Sequence, residues 1–330
     1  GETDKTLVAG VLNKLANKLY YTGYAYGHLT GIVKIADGLT ASSKELKTGK
    51  ISFSDGTTGT KIAGQGFYDY LKVPASQTDT EFTDTITGVR SADQKYVNTG
   101  VLKDDGQHYK FTKDTTIKAA NTINIGDVDH TVDINAKDHT LTLISATDSK
   151  KTVSALAANS MKDVTITADK LIIRASDNGR IEGISVGGQG QQNADNPNKL
   201  TINGDVDMLV HGKGYSLGLY AAGNSDITFN GNITALGDKD NAWGLTSKYG
   251  AYGYYGVSLV YSGSNYTLQM GPKVTINGEV NAKIDGNCLF ANGGHAKLTI
   301  NGGGNIEINK DNTHNYYAMI AECGTTSINV

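Results

Sequence analysis

The chain has 330 residues, with 41 Gly, 3 Pro and 38% apolar residues. Its 30 Lys and Arg against 33 Asp and Glu leave a net charge of −3, which removes the electrostatic case for a nucleic-acid binder. No stretch approaches the roughly 18 uninterrupted apolar residues of a membrane-spanning helix, and 2 Cys build neither a disulfide framework nor a thiolate metal cage. A chain this long and this polar must spread a thin core along its length, which points to an extended repeat architecture.

At the N-terminus Leu7, Val8, Val11, Leu12, Leu15 and Leu19 recur at three- and four-residue steps, predicting an amphipathic helix over about 6–20. Its apolar stripe is expected to cap the first coil of the repeat, because an uncovered end exposes strand edges. Alternation in Gly31–Ala36 and Ile51–Ser54 predicts strands, and 75–100 reads as a loop excursion or a loosely formed coil. No charged n-region with an apolar h-region is present, so any export signal is expected to be removed or to lie outside this sequence.

Farther on, Asp127, Asp129, His130, Asp133, Asp138 and His139 form an acidic, His-bearing run. Paired carboxylates on one face serve as acid and base in glycoside cleavage, or hold calcium through oxygen. Alternation with Val128, Val132 and Ile134 makes a solvated strand face the favoured reading. Gly183-Ile184-Ser185-Val186-Gly187 matches the nucleophile-elbow string, whose chemistry needs a strand–turn–helix, a His base and an oxyanion hole. The residues after it, Gly188-Gln189-Gly190-Gln191, carry no helical pattern, so Ile184 and Val186 are read as inward residues and Ser185 as solvent-facing.

From about residue 200 one phrase recurs: Leu200-Thr201-Ile202-Asn203-Gly204, Ile227-Thr228-Phe229-Asn230-Gly231, Val274-Thr275-Ile276-Asn277-Gly278 and Leu298-Thr299-Ile300-Asn301-Gly302. Ser327-Ile328-Asn329-Val330 reads as a clipped copy, and Ile123-Asn124-Ile125, Leu141-Thr142-Leu143 and Val164-Thr165-Ile166 as looser ones. The alternating apolar residues face inward, Thr suits the pleated outer side, and Asn-Gly offers a positive φ and a side chain that bonds its own backbone at a corner. An Asn-Gly hairpin stack is the rival reading. The corner recurs at 27, 47, 24 and 29 residues, in step with the phrase, which favours a right-handed parallel β-helix.

A second phrase lies between copies of the first: Leu219-Tyr220-Ala221, Leu259-Val260-Tyr261, Leu289-Phe290-Ala291 and Met319-Ile320-Ala321. Each coil therefore holds at least two strands. The predicted architecture is all-β, with an N-terminal helix and capping or first coils over 1–90 and the β-helix over 91–330.

The 47-residue interval carries an insertion rich in Tyr and Gly, with Trp243, Tyr249, Tyr252, Tyr254 and Tyr255, and Tyr261 and Tyr266 close behind. Tyr pairs an apolar ring with a polar tip, suiting a wet recognition surface or sugar stacking. Packing of these rings on the rod is the plainer alternative. Cys288 and Cys323 fall at different places in their phrases, so two separate thiols are expected. His28, His108, His130, His139, His211, His295 and His314 show no metal-ligand spacing, and neither a metal nor a cofactor is expected.

The strings Leu12-Asn13-Lys14-Leu15-Ala16-Asn17-Lys18-Leu19-Tyr20-Tyr21, Gly31-Ile32-Val33-Lys34-Ile35-Ala36-Asp37-Gly38, Gly49-Lys50-Ile51-Ser52-Phe53 and Gly64-Gln65-Gly66-Phe67-Tyr68, with the Thr-Ile-Asn-Gly coils, resemble passenger regions of Gram-negative autotransporters (type V secretion). The resemblance implies export to the cell surface or secretion, and a C-terminal membrane barrel downstream. It also implies a role in adhesion or cell–cell aggregation, with a glycan, a protein or a second copy of the chain as partner. A polysaccharide lyase or glycosidase and a plain structural stalk are the alternatives.

Overall fold

The computed structural model describes residues 80–146, 151–177, 180–187, 196–212, 216–237, 257–263, 271–284, 288–292, 295–308, 319–322 and 326–330, with short strands at 19–20, 24–25, 28–29, 31–34 and 51–52. The predicted helix over 6–20 lies outside the described residues except at its end, where Leu19–Tyr20 is a strand paired antiparallel with Gly31–Lys34. The strands expected near 31–36 and 51–54 are found as Gly31–Lys34 and Ile51–Ser52.

From residue 80 onward the described strands pair with one another in parallel, coil on coil. The molecule is all-β, with parallel strands in stacked sheets compatible with a β-helix or solenoid. Each coil contributes three strands rather than the two legible in the repeat phrases. The first face holds the Thr-Ile-Asn phrase, for example Ser225–Phe229 over Lys273–Ile276. The second continues after the Asn-Gly corner, as in Ile233–Gly237 over Val280–Ile284. The third carries the second phrase, as in Ser216–Ala222 over Val257–Gly263.

In Val132–Ala146, Asp163–Asp177 and Asn198–Gly212 the first two faces form one bent strand of 15 residues, which hid the middle strand from a reading by phrases. Inward side chains build the core along the axis: Ile166, Ile202, Ile227 and Phe229 from the first face, Val206 and Ile233 from the second, and Leu156, Ile184 and Leu219 from the third are all within 2% of full burial. Each such side chain contributes roughly 1.5–3 kcal/mol, so stability accrues coil by coil.

The register corrects several alignments. Val164-Thr165-Ile166 does sit on the first face, opposite Leu200-Thr201-Ile202. Leu141-Thr142-Leu143 belongs instead to the second face, opposite Leu171-Ile172-Ile173, and Ile123 to the third, opposite Leu156. In the second phrase Val260, not Leu259, pairs with Leu219 and Leu289, so Tyr261 lines up with Tyr220 and Phe290. A one-residue slip would send every side chain of that strand to the other face. The last copy is displaced by two residues, Ile328 pairing with Leu298, a shift that keeps the inward face inward.

The Asn-Gly corner also works differently from the expectation. Asn230 donates its side-chain amide to Asn203 Oδ1 at 2.8 Å, Asn277 to Asn230 at 2.7 Å and Asn301 to Asn277 at 2.8 Å, so the side chains bond across coils and form a ladder. Asn203 begins it by donating to Thr167 Oγ1 at 3.2 Å. Gly204 has φ +120°, but Gly231, Gly278 and Gly302 do not occupy the left-handed region. They are glycines because of proximity: a Cβ on Gly231 would lie 2.1 Å from the Gly204 carbonyl oxygen, and one on Gly278 2.4 Å from that of Gly231.

The start of the described stack is closed by its own chain. The sequence reads 75–100 as a loop excursion or a loosely formed coil, and its described part, from residue 80, is packed. The short helix Gln94–Asn98 buries Tyr96, whose ring stacks on Phe82 at 4.8 Å and meets Tyr109 edge-on at 6.3 Å. Asp93, 1% exposed, accepts from the Thr87 and Gly88 amides, the Thr87 hydroxyl and the Tyr109 hydroxyl. Among the described residues this cluster covers the first coil.

Candidate functional site

Chain length varies at two of the three corners; at the remaining one it shortens through register shifts at Ala136/Thr140 and Thr167/Lys170 and is constant from Asn203 onward. In the four coils of the Asn ladder the corner between first and second faces is three residues long, because the register runs from Ile202 opposite Phe229 to Val206 opposite Ile233 and repeats thereafter. Between second and third faces the connectors are 147–152, 178–180, 213–215, 238–256, 285–288 and 309–318. In these four coils the stacked glycines and the amide ladder leave no room for an insertion at the first corner.

The tyrosine-rich insertion therefore leaves the second face at Gly237 and re-enters on the third at Val257. Trp243, Tyr249, Tyr252, Tyr254 and Tyr255 lie outside the described residues. Tyr261 lies within the strand Val257–Gly263 and occupies one column of the third face with Ser185, Tyr220, Phe290 and Ile320.

At the head of that column the structure assembles a polar cluster the sequence reading missed. Glu182, 3% exposed, receives Arg180 Nε at 2.8 Å and the Ser154 hydroxyl at 2.9 Å, and Arg180 Nη2 lies 2.6 Å from the same carboxylate. The Arg180 guanidinium also sits 4.6 Å from the centre of the Tyr220 ring, a cation–π contact between successive coils. The available signal was the Arg-x-Glu spacing, which puts both side chains on one side of a strand. Arg180 thus pairs with the Glu182 carboxylate of its own strand and with the Tyr220 ring of the next coil.

The two catalytic candidates do not assemble. Ile184 and Val186 point inward as expected, but Ser185 is only 8% exposed, not solvent-facing. Parallel register sets this small side chain between Ala157 and Tyr220 of the adjoining coils, and no His or acid bonded to it is found among the described residues. In the acidic run, His130 Nδ1 lies 2.8 Å from Asp129 and its Nε2 2.9 Å from the Gly88 carbonyl oxygen. This contact holds the Asp129 carboxyl below its usual range. His139 stands 3.9 Å from Asp114. Asp127 and Asp138 are exposed. Among the described residues no group of three or more His, Cys, Asp or Glu could hold a metal ion.

Cys288 is buried, and Cys323 lies outside the described residues. No family model matches the chain, and neither does any curated protein or solved structure.

Proposed function

We propose that the chain is the surface-exposed passenger of an autotransporter, a right-handed parallel β-helical rod with an N-terminal helical cap that acts in adhesion or cell–cell aggregation. Its partner is a glycan or protein of a host or bacterial surface, or a second copy of the chain. The observation that supports a binding role is the segregation of length variation. A rod that keeps one corner constant through four successive coils and gathers a Trp- and Tyr-bearing insertion at another has separated scaffold from variable surface. The return strand of that insertion carries Tyr261 beside Tyr220, and tyrosine-rich loops suit wet recognition.

The test is a glycan array probed with the intact chain and with a Tyr252→Ala, Tyr254→Ala, Tyr255→Ala variant. Binding that the triple substitution abolishes identifies the insertion as the recognition site. Binding that survives it places recognition elsewhere. No binding by either protein, together with a purely monomeric sedimentation profile at rising concentration, sinks the glycan-binding and self-association forms of the proposal.

A further inference from the structure

Four Asn-Gly sequences line the first corner, at Asn203, Asn230, Asn277 and Asn301. Asn-Gly is the dipeptide most prone to spontaneous deamidation. The glycine amide nitrogen attacks the asparagine Cγ, a C–N bond forms, and the side-chain nitrogen leaves as ammonia. Water then opens the cyclic imide at either carbonyl, yielding aspartate or isoaspartate. The attack requires the Asn side chain to swing back over the following peptide, unhindered by a Cβ when that residue is glycine. An extracellular rod with this dipeptide in successive coils would be expected to lose its corners to water.

We propose that the asparagine ladder protects these four latent modification sites from deamidation. Each side chain is held outward by bonds to neighbouring coils. Asn230 donates Nδ2 to Asn203 and accepts from Asn277, and Asn277 donates to Asn230 and accepts from Asn301, all at 2.7–2.8 Å. Asn203 accepts from Asn230 and donates to Thr167 Oγ1 at 3.2 Å. To reach the attacking geometry an interior member must break two hydrogen bonds. The nucleophile is restrained as well at Gly302, whose N–H donates to the Gly278 carbonyl oxygen at 3.2 Å. Packing forbids the alternative of replacing these glycines, because a Cβ on Gly231, Gly278 or Gly302 would fall within 2.4 Å of backbone in the preceding coil. The corner thus keeps a chemically labile dipeptide that geometry requires, and the ladder supplies its protection. Breakage of the ladder marks the site permanently, since aspartate replaces an amide donor with a carboxylate facing the next carbonyl oxygen.

The test is site-resolved mass spectrometry of the full chain aged in mildly alkaline buffer, with Asn178-Gly179 and Asn292-Gly293, outside the ladder, as internal comparisons. In Asn277→Ala, Asn230 loses its donor and Asn301 its acceptor, and both are expected to deamidate about tenfold faster while Asn203 keeps its wild-type rate. Thr167→Val, at the other end of the ladder, accelerates Asn203 alone and provides an independent reading should Asn277→Ala fold poorly. Thr275→Ala, in the strand Lys273–Ile276 that leads into Asn277 but outside the ladder, leaves all rates unchanged. Unaltered rates in both ladder variants overturn the proposal, as does an equal acceleration by Thr275→Ala, because backbone rigidity alone then accounts for the protection.

Discussion

Asn277 donates its side-chain amide to Asn230 at 2.7 Å across 47 residues of chain, and Asn301 makes the same bond to Asn277 at 2.8 Å across 24. The corner geometry is indifferent to how much chain intervenes. Loop-closure entropy grows slowly, about 0.6 kcal/mol for each doubling of loop length, so an insertion at a permissive corner scarcely disturbs the stack.

Replacing residues 238–256 by a connector as short as 213–215 should therefore leave the rod intact. The expected result is a wild-type far-ultraviolet spectrum and a melting temperature within a few degrees of the parent. A collapse of the melting transition would show that the insertion is structural.

Gly231→Ala should be severely destabilising, because its Cβ would fall 2.1 Å from the Gly204 carbonyl oxygen and the clash is with backbone that cannot yield. A cost of about 3 kcal/mol or more is expected in urea unfolding. Gly126→Ala is the matched control: nothing lies within 4 Å of its Cβ, and its φ is unremarkable for an L-residue. Equal midpoints for the two variants would rule out steric stacking as the reason for glycine at this corner.

Asp93 tests the closed end of the rod. Asp93→Ala leaves the Thr87 and Gly88 amides and the buried Tyr109 hydroxyl without their acceptor, an expected loss of about 2–4 kcal/mol. Tyr109→Phe removes one donor and leaves the carboxylate its other partners, so about 1 kcal/mol is expected. Hydrogen exchange at the Thr87 and Gly88 amides should report both changes, far more strongly in Asp93→Ala.

The same end should respond to pH at both extremes. Backbone bonding to Gln107, then the His108 ring, holds the Asp105 carboxyl down at about 2 from its usual 3.8. A depressed carboxylate contributes its stabilisation above its unfolded value and loses it as pH falls through the folded one. The 104–108 loop should stay closed on acidification past about pH 4 and open only as pH approaches 2. Tyr96 and Tyr109 shift upward from 10.0, chiefly by burial, with Asp84 and Asp93 adding to the first and the Asp93 hydrogen bond to the second. Raised groups stabilise below their unfolded value, so this contribution is complete below about pH 10 and is lost above it. In an alkaline titration the phenolates of these two residues should appear together with loss of the near-ultraviolet circular dichroism of the cap. Their ionisation near pH 10 with that signal intact would contradict the assignment.

Much of the fold was readable because its determinants are local and repeated. Alternation in Leu200-Thr201-Ile202 and its copies identifies a strand and its buried side, and the period identifies stacking, since each copy must lie on the last to cover its apolar face. What alternation cannot supply is register between faces. Leu141-Thr142-Leu143 has the same pattern on the second face as Val164-Thr165-Ile166 has on the first, and Leu259 competes with Val260 for one inward site until the neighbouring strands choose.

The sequence by itself determined that this protein is all-β and built from recurring short strands. These properties follow from composition and from periods of two residues and of one coil. Only the tertiary structure decided that a third strand completes each coil, that Asp93 and Tyr96 close the first coil, and that Arg180, Glu182 and Tyr220 meet. Each joins residues from different faces or coils, and such contacts depend on how the chain turns its corners. The glycines at 231, 278 and 302 carry that lesson in one residue type. Sequence marks them as places where the chain turns, and the stack shows that each is needed because the preceding coil's backbone occupies the space of a side chain.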